Sequence, residues 1–258
     1  MSSASNDEKG RRRRALFLEA CVAESIEALE PTFSEAKLSQ AESSRVLLYR
    51  RLVRQRLFGT LLQLLEKTRA SVDAMAKSSF ANEASLGNFE HVFSVFLNER
   101  GPKTPFLRDI IEEFTTFTLE RFPATGAWRS HLRYESASFR VLAAPNDTLR
   151  VSEVDAALPL PLVRSALILA LDHAVHHDEI EAMPAWLLLY RDAEFGRRVL
   201  ELTRSSHAIV SALASGRALG DAIVAGRPFA SSISEATYLE ESAALLADLS
   251  DRGIFREP

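Results

Sequence analysis

The chain has 258 residues, 47% apolar and 26% charged, enough for two domains of ordinary size and the mix of a soluble globular protein. Its net charge of −4 divides unevenly, +3 over residues 1–140 and −7 over 141–258, and neither half is basic enough to announce a nucleic-acid binder. One cysteine, Cys21, excludes an internal disulfide or a cysteine-rich zinc site and suits a cytoplasmic location, and no apolar run is long enough to span a bilayer.

Residues 1–14 are polar and read as a disordered tail. Arg11-Arg12-Arg13-Arg14 precedes Ala15-Leu-Phe-Leu18 as in an export signal. The apolar run stops at Glu19, so an exposed tail leading into a helix is expected. Leu16, Ala20, Ala23 and Ala28 leave a weak helical stripe over Arg13–Leu29, ended by Pro31. Over 43–70 the pattern is clearer. Val46, Tyr49, Leu52, Val53, Leu57, Leu61, Leu64 and Leu65 recur at three- and four-residue steps, the period of a helix with one buried face. Its polar side carries Arg45, Arg50, Arg51, Arg54 and Arg56.

Leu86–Leu97 is a further helix, with Phe89, Val92, Phe93 and Phe96 on one side. Gly101-Pro102 breaks the chain, and Thr104 is placed to cap a helix beginning at Pro105 and stopping near Phe122-Pro123. Gly126–Leu142 gives the last helix of an all-α domain over 15–143. Pro145, Asn146, Pro159 and Pro161 mark 144–163 as a linker.

Residues 164–258 read as a second domain, making the whole chain α+β. Ala166–Val175 is expected as a strand, its Leu and Ala content leaving a helix open, and Trp186–Tyr190 and Arg197–Leu202 as the arms of a hairpin. A helix follows from Ser205 or Ser206 to Ala214, a short one over Ala218–Val224, and a long one capped by Ser234 and stopped by Gly253. Ile254-Phe255 would close the domain as a strand. This is the order of a winged helix-turn-helix. The helix that would enter a DNA groove is acidic, however: Ser234–Arg252 sums to −4, which would repel phosphate.

Leu187-Leu-Leu-Tyr190, Val199-Leu-Glu-Leu202, Ser206-His-Ala-Ile-Val210 with Gly216, Ala244-Leu-Leu-Ala-Asp-Leu249 and Arg252-Gly-Ile-Phe255 together resemble the RiPP recognition element. That small winged-helix domain of peptide-modifying systems is represented by PqqD. In the first half, Arg45-x-x-x-Tyr49-Arg50 and Pro105-Phe-Leu-Arg-Asp-Ile-Ile-Glu-Glu-Phe114 are similar to HvfC/BufC-type proteins and their relative MbnC. These resemblances imply a non-catalytic partner of a multinuclear non-haem iron oxidative enzyme, in a heterodimer. The first domain would dock on the enzyme through residues such as Arg45, Tyr49, Arg50, Arg54 and Arg108. The second would hold the leader of a ribosomally made precursor peptide. Iron would belong to the enzyme, with no cofactor or metal in this chain, and neither nucleic acid nor membrane is expected as a partner.

Leader binding in that family is strand addition to the second arm of the hairpin, here Arg197, Arg198, Val199, Leu200, Glu201 and Leu202. Alternation puts Leu200 and Leu202 on one face and Val199 and Glu201 on the other. Tyr238, Leu239, Ser242, Leu245, Leu246 and Leu249 on the last helix are candidate pocket residues, although such leucines also build domain cores. Two other functions compete. A DNA-binding regulator would use the Arg45–Arg56 face. A metal-dependent enzyme would use His173, His176 and His177 with Asp172, Asp178 and Glu179. In a helix His173 and His177 would share a face, but the strand expected over 166–175 breaks that geometry, and a polar loop is expected there. No Gly-x-Ser-x-Gly elbow or phosphate-binding loop occurs, which favours a binding protein over an enzyme.

Overall fold

The computed structural model describes residues 29–35, 39–77, 86–104, 106–123, 125–146 and 158–256. The Arg11–Arg14 run, Cys21, Pro105 and nearly all of the helix expected over Arg13–Leu29 lie outside them. The chain is mixed α+β and divides into two compact units, residues 1–132 and 133–258. The division falls inside the helix expected to close the first domain.

The first unit holds α1 (Glu30–Glu35), α2 (Gln40–Leu64), α3 (Glu66–Lys77), α4 (Phe89–Glu99), α5 (Leu107–Arg121) and the start of α6 (Ala127–Ala143). Ser39 opens α2 with a capping box: its hydroxyl accepts from the Glu42 N–H while the Glu42 carboxylate accepts from the Ser39 N–H. The single helix expected over 43–70 is two, because Leu65 leaves the helical backbone with φ −119° and ψ 44°. The expected apolar stripe also splits. Val46, Leu61 and Leu65 are buried, whereas Tyr49 and Leu52 are about half exposed. The core is aromatic: Phe58 packs on Phe89 and Phe93, and Phe89, Phe93 and Phe96 all pack on Phe114, the last edge-on at 5.3 Å between ring centroids.

Thr104 does not cap α5 as expected. The helix starts at Leu107 behind Phe106, and the Thr104 hydroxyl accepts the Phe106 N–H instead. At the other end of α5 the Arg129 guanidinium donates to the Leu119 and Phe122 carbonyls, which the helix leaves without amide partners.

In the second unit, β1 (Ala166–Leu171), β2 (Ala185–Arg191) and β3 (Arg197–Leu202) form an antiparallel sheet in the order β1-β2-β3. β1 ends four residues before the expected Val175. Leu187, Leu188 and Leu189 are all fully buried, because both faces of the sheet are covered. On one face Leu188, Tyr190, Leu200 and Leu202 join a cluster with the helices that follow. On the other, Leu187, Leu189 and Val199 pack with Tyr134, Ala137 and Val141 of α6 and with Val175.

Three helices follow β3: α7 (Arg204–Ala214), α8 (Leu219–Gly226) and α9 (Glu235–Asp251), with a 3-10 turn over Arg227–Ala230. Thr203, rather than Ser205 or Ser206, caps α7 by accepting the Ser206 N–H. Ser234 caps α9 as expected, accepting the Thr237 N–H. Arg227 fixes the turn between α8 and α9 by donating to the Ala230 and Ile233 carbonyls. Gly226, the last residue of α8, lies against α7 and α9. A Cβ there would sit 2.6 Å from Ile209 and 2.7 Å from the Tyr238 hydroxyl.

The expected closing strand at Ile254-Phe255 is a single bridge between Phe255 and Leu162. Val163 N–H donates to Ile254 O and Arg256 N–H to Pro161 O, so part of the expected linker is built into this unit. No helix among the described residues is long and apolar enough to cross a membrane.

Candidate functional site

Among the described residues β3 pairs only with β2, so one side of its backbone is a sheet edge. Its side chains are exposed or half-buried up to Leu202, whereas β1 begins and ends on buried residues. β3 therefore carries the more exposed side chains of the two edge strands. An edge strand presents unpaired amide and carbonyl groups, which pair with another extended chain whatever its sequence.

The polar residues of β3 are tied into the unit. Arg197 donates to the Ser138 hydroxyl at 2.8 Å and stacks over the Tyr134 ring, holding the strand to α6. Arg198 donates to Asp192 Oδ2, and the other oxygen of that carboxylate accepts the Gly196 N–H at 2.6 Å. Burial works against the Asp192 carboxylate, but Arg198 and Gly196 outweigh it and hold its pKa below the usual value. Phe195 turns the hairpin at φ 62° under the Arg191 guanidinium.

Glu201 points to the α6 side of the sheet and meets the loop after β1. Its Oε1 takes His177 Nε2 at 2.8 Å and also contacts His176 Nε2. The His176 contact dominates, outweighs burial and keeps the Glu201 carboxyl below the usual range. The loop is held in place by paired hydrogen bonds between Ala174 and Glu181 and by the fully buried Val175. Residues 176–179 form a bend. In extended chain neighbouring side chains diverge; the bend lets His176 and His177 converge on one oxygen.

Leu200 and Leu202 share one apolar cluster with Leu245, Leu246 and Leu249 of α9. Leu245 and Leu246 are partly exposed, whereas Tyr238, Ser242 and Leu249 are buried. The Tyr238 hydroxyl donates to the Ile223 carbonyl, and the Ser242 hydroxyl has no partner among the described residues. Leu239 is about half exposed. The acidic residues Glu240, Glu241 and Asp251 lie on the exposed side of α9.

In the first unit, Arg45 and Tyr49 are exposed on α2, beside Leu48 and Leu52, while Arg50 and Arg54 are half-buried. Arg54 reaches Asn98 of α4 at 3.4 Å. Arg108, on α5, pairs with its neighbour Asp109. The structure thus gathers four of the five expected docking residues on one helix and leaves Arg108 on another.

The chain matches no protein-family model, and no curated protein is significantly similar to it. Two features of the site had no sequence signal. One is the meeting of Glu201 with His176 and His177. The other is Arg191, whose guanidinium donates to the Leu142 and Ala144 carbonyls and to Asn146 Oδ1, capping the C-terminal end of α6.

Proposed function

We propose that this chain is a non-catalytic peptide-binding partner of an oxidative enzyme, and that its second unit, built on a winged-helix plan, holds an extended peptide by strand addition to β3. The observation that carries this reading is a sheet covered on both faces, with β3 as the edge strand whose side chains are the more exposed. Such a sheet offers a ligand backbone pairing rather than a face. The apolar side chains of Leu200, Leu245 and Leu246 stand in one cluster near that edge and supply contacts for alternate side chains of the added strand.

The resemblance to HvfC/BufC-type proteins and to the RiPP recognition element names the partners: a multinuclear non-haem iron enzyme, which holds the iron, and the leader of its precursor peptide. The half-exposed Leu48, Tyr49 and Leu52, flanked by the exposed Arg45 and Arg51, give α2 an amphipathic outer face suited to an acidic protein surface. The acidic exposed side of α9 weighs against the DNA reading, since it would face phosphate without counter-charge.

Fluorescence anisotropy with a labelled precursor leader tests the proposal. Binding is expected to the chain alone or to its complex with the enzyme, and Leu200→Pro removes it by blocking the edge. Absence of binding to both forms rejects the reading. Amide exchange separates edge pairing from other modes, because the peptide slows exchange along β3 while leaving the buried β2 unchanged.

A further inference from the structure

We infer that His176, His177 and Glu201 form a binding site for a divalent first-row transition cation of the zinc type. The inference does not depend on the peptide reading. It rests on three donor atoms, two imidazole Nε2 and one carboxylate oxygen, lying within 4.8 Å of one another. Both ring nitrogens aim at the same point, Glu201 Oε1, from rings whose centroids are 3.9 Å apart. As a pure hydrogen-bond arrangement this spends two imidazole donors on one acceptor atom. A cation seated among the three atoms, with the Glu201 carboxylate drawn back to admit it, gives each lone pair its own partner.

The donor types suit the ion. Zinc takes imidazole nitrogen at about 2.0–2.1 Å and carboxylate oxygen at about 2.0–2.2 Å, and two nitrogens with one oxygen form a familiar three-ligand set. In a tetrahedral set two such ligands lie about 3.4 Å apart, so the Glu201 oxygen must move back from the two rings, which takes only small rotations. His177 and Glu201 have that freedom, since each side chain is more than half exposed, while His176, 6% exposed, is the fixed member. The backbone is already in place. Ala174 is paired to Glu181, Val175 is buried, and Glu201 lies in a strand paired to β2 opposite Leu187. The exposed side leaves a fourth coordination position open to water.

Isothermal titration of the tag-free full-length chain with zinc, and the visible spectrum of the cobalt(II) form, test the site. His177→Ala and Glu201→Gln are the variants, because both side chains are exposed and their replacement leaves the fold intact, as circular dichroism checks. The expected result is one equivalent bound by the parent chain, with affinity lowered at least about tenfold in each variant and the cobalt ligand-field bands lost. Failure of the parent chain to bind either metal overturns the inference. So does unchanged affinity in either variant, which would place the ion elsewhere.

Discussion

Arg252, just beyond the last helix, donates through Nη1 to the Tyr190 hydroxyl of the central strand at 2.9 Å. It is held for this by Asp248, one turn earlier, at 2.8 Å. Asp248 first, and Tyr190 after it, raise the Arg252 pKa. Tyr190→Phe removes the bond and leaves the ring in place. The expected loss is about 1 kcal/mol, measured as a lower urea midpoint with an unchanged m-value.

Gly226 is required by space rather than by backbone conformation. Its added methyl would press on the Ile209 side chain, on the Tyr238 hydroxyl and on the Ser205 carbonyl 3.0 Å away. Gly226→Ala is expected to destabilise the second unit by about 1–3 kcal/mol, although alanine is the better helix former. A thermal melt in which the variant matches or exceeds the parent would show that α7 and α9 yield at no cost.

The hairpin turn gives a pH dependence with a definite sign. Asp192 titrates lower in the folded chain than in an unfolded one. Its contribution is fully present above about pH 4 and is lost as pH falls through the lower folded value. Asp192→Asn removes that dependence, so the parent and variant stability curves converge in acid. Curves that stay parallel from pH 6 to pH 2 would contradict the assignment.

Phe195 is the one described residue other than glycine with positive φ. Its ring is well exposed at the hairpin tip and stacks only loosely under Arg191, 5.5 Å from the guanidinium. Phe195→Gly is expected to stabilise the chain by up to about 1 kcal/mol, the relief of left-handed strain exceeding the lost stacking. Chemical denaturation reads the change directly.

Patterns that a local stretch determines were legible in the sequence. The bounds of β3 and the Ser234 cap of α9 follow from alternation and from a side chain reaching three residues on. Contacts between distant residues were not. Tyr49 and Leu52 obey the helical period yet face outward, because periodicity names a face without saying what covers it. The histidines after β1 read as a polar loop, and only the fold brings Glu201 to them. Tyr238 looked like a pocket residue. It is buried in the apolar cluster of the second unit, and its hydroxyl is satisfied there by the Ile223 carbonyl of α8, a partner that no spacing announces.

The double covering of the sheet has a consequence for strand alignment. A strand that is apolar on one face resists sliding, since a one-residue slip would turn its apolar side chains to water. β2 carries leucines on both faces and lacks that safeguard. Alignment then falls to polar ties at particular positions: Asp192 with Gly196 and Arg198 at the turn, Arg191 on the end of α6, and Arg252 on Tyr190. A chain that loses these ties would keep its burial and lose its uniqueness, settling into several offset pairings. Broadened strand signals in the nuclear magnetic resonance spectrum, with little change in melting temperature, would be the signature of that loss.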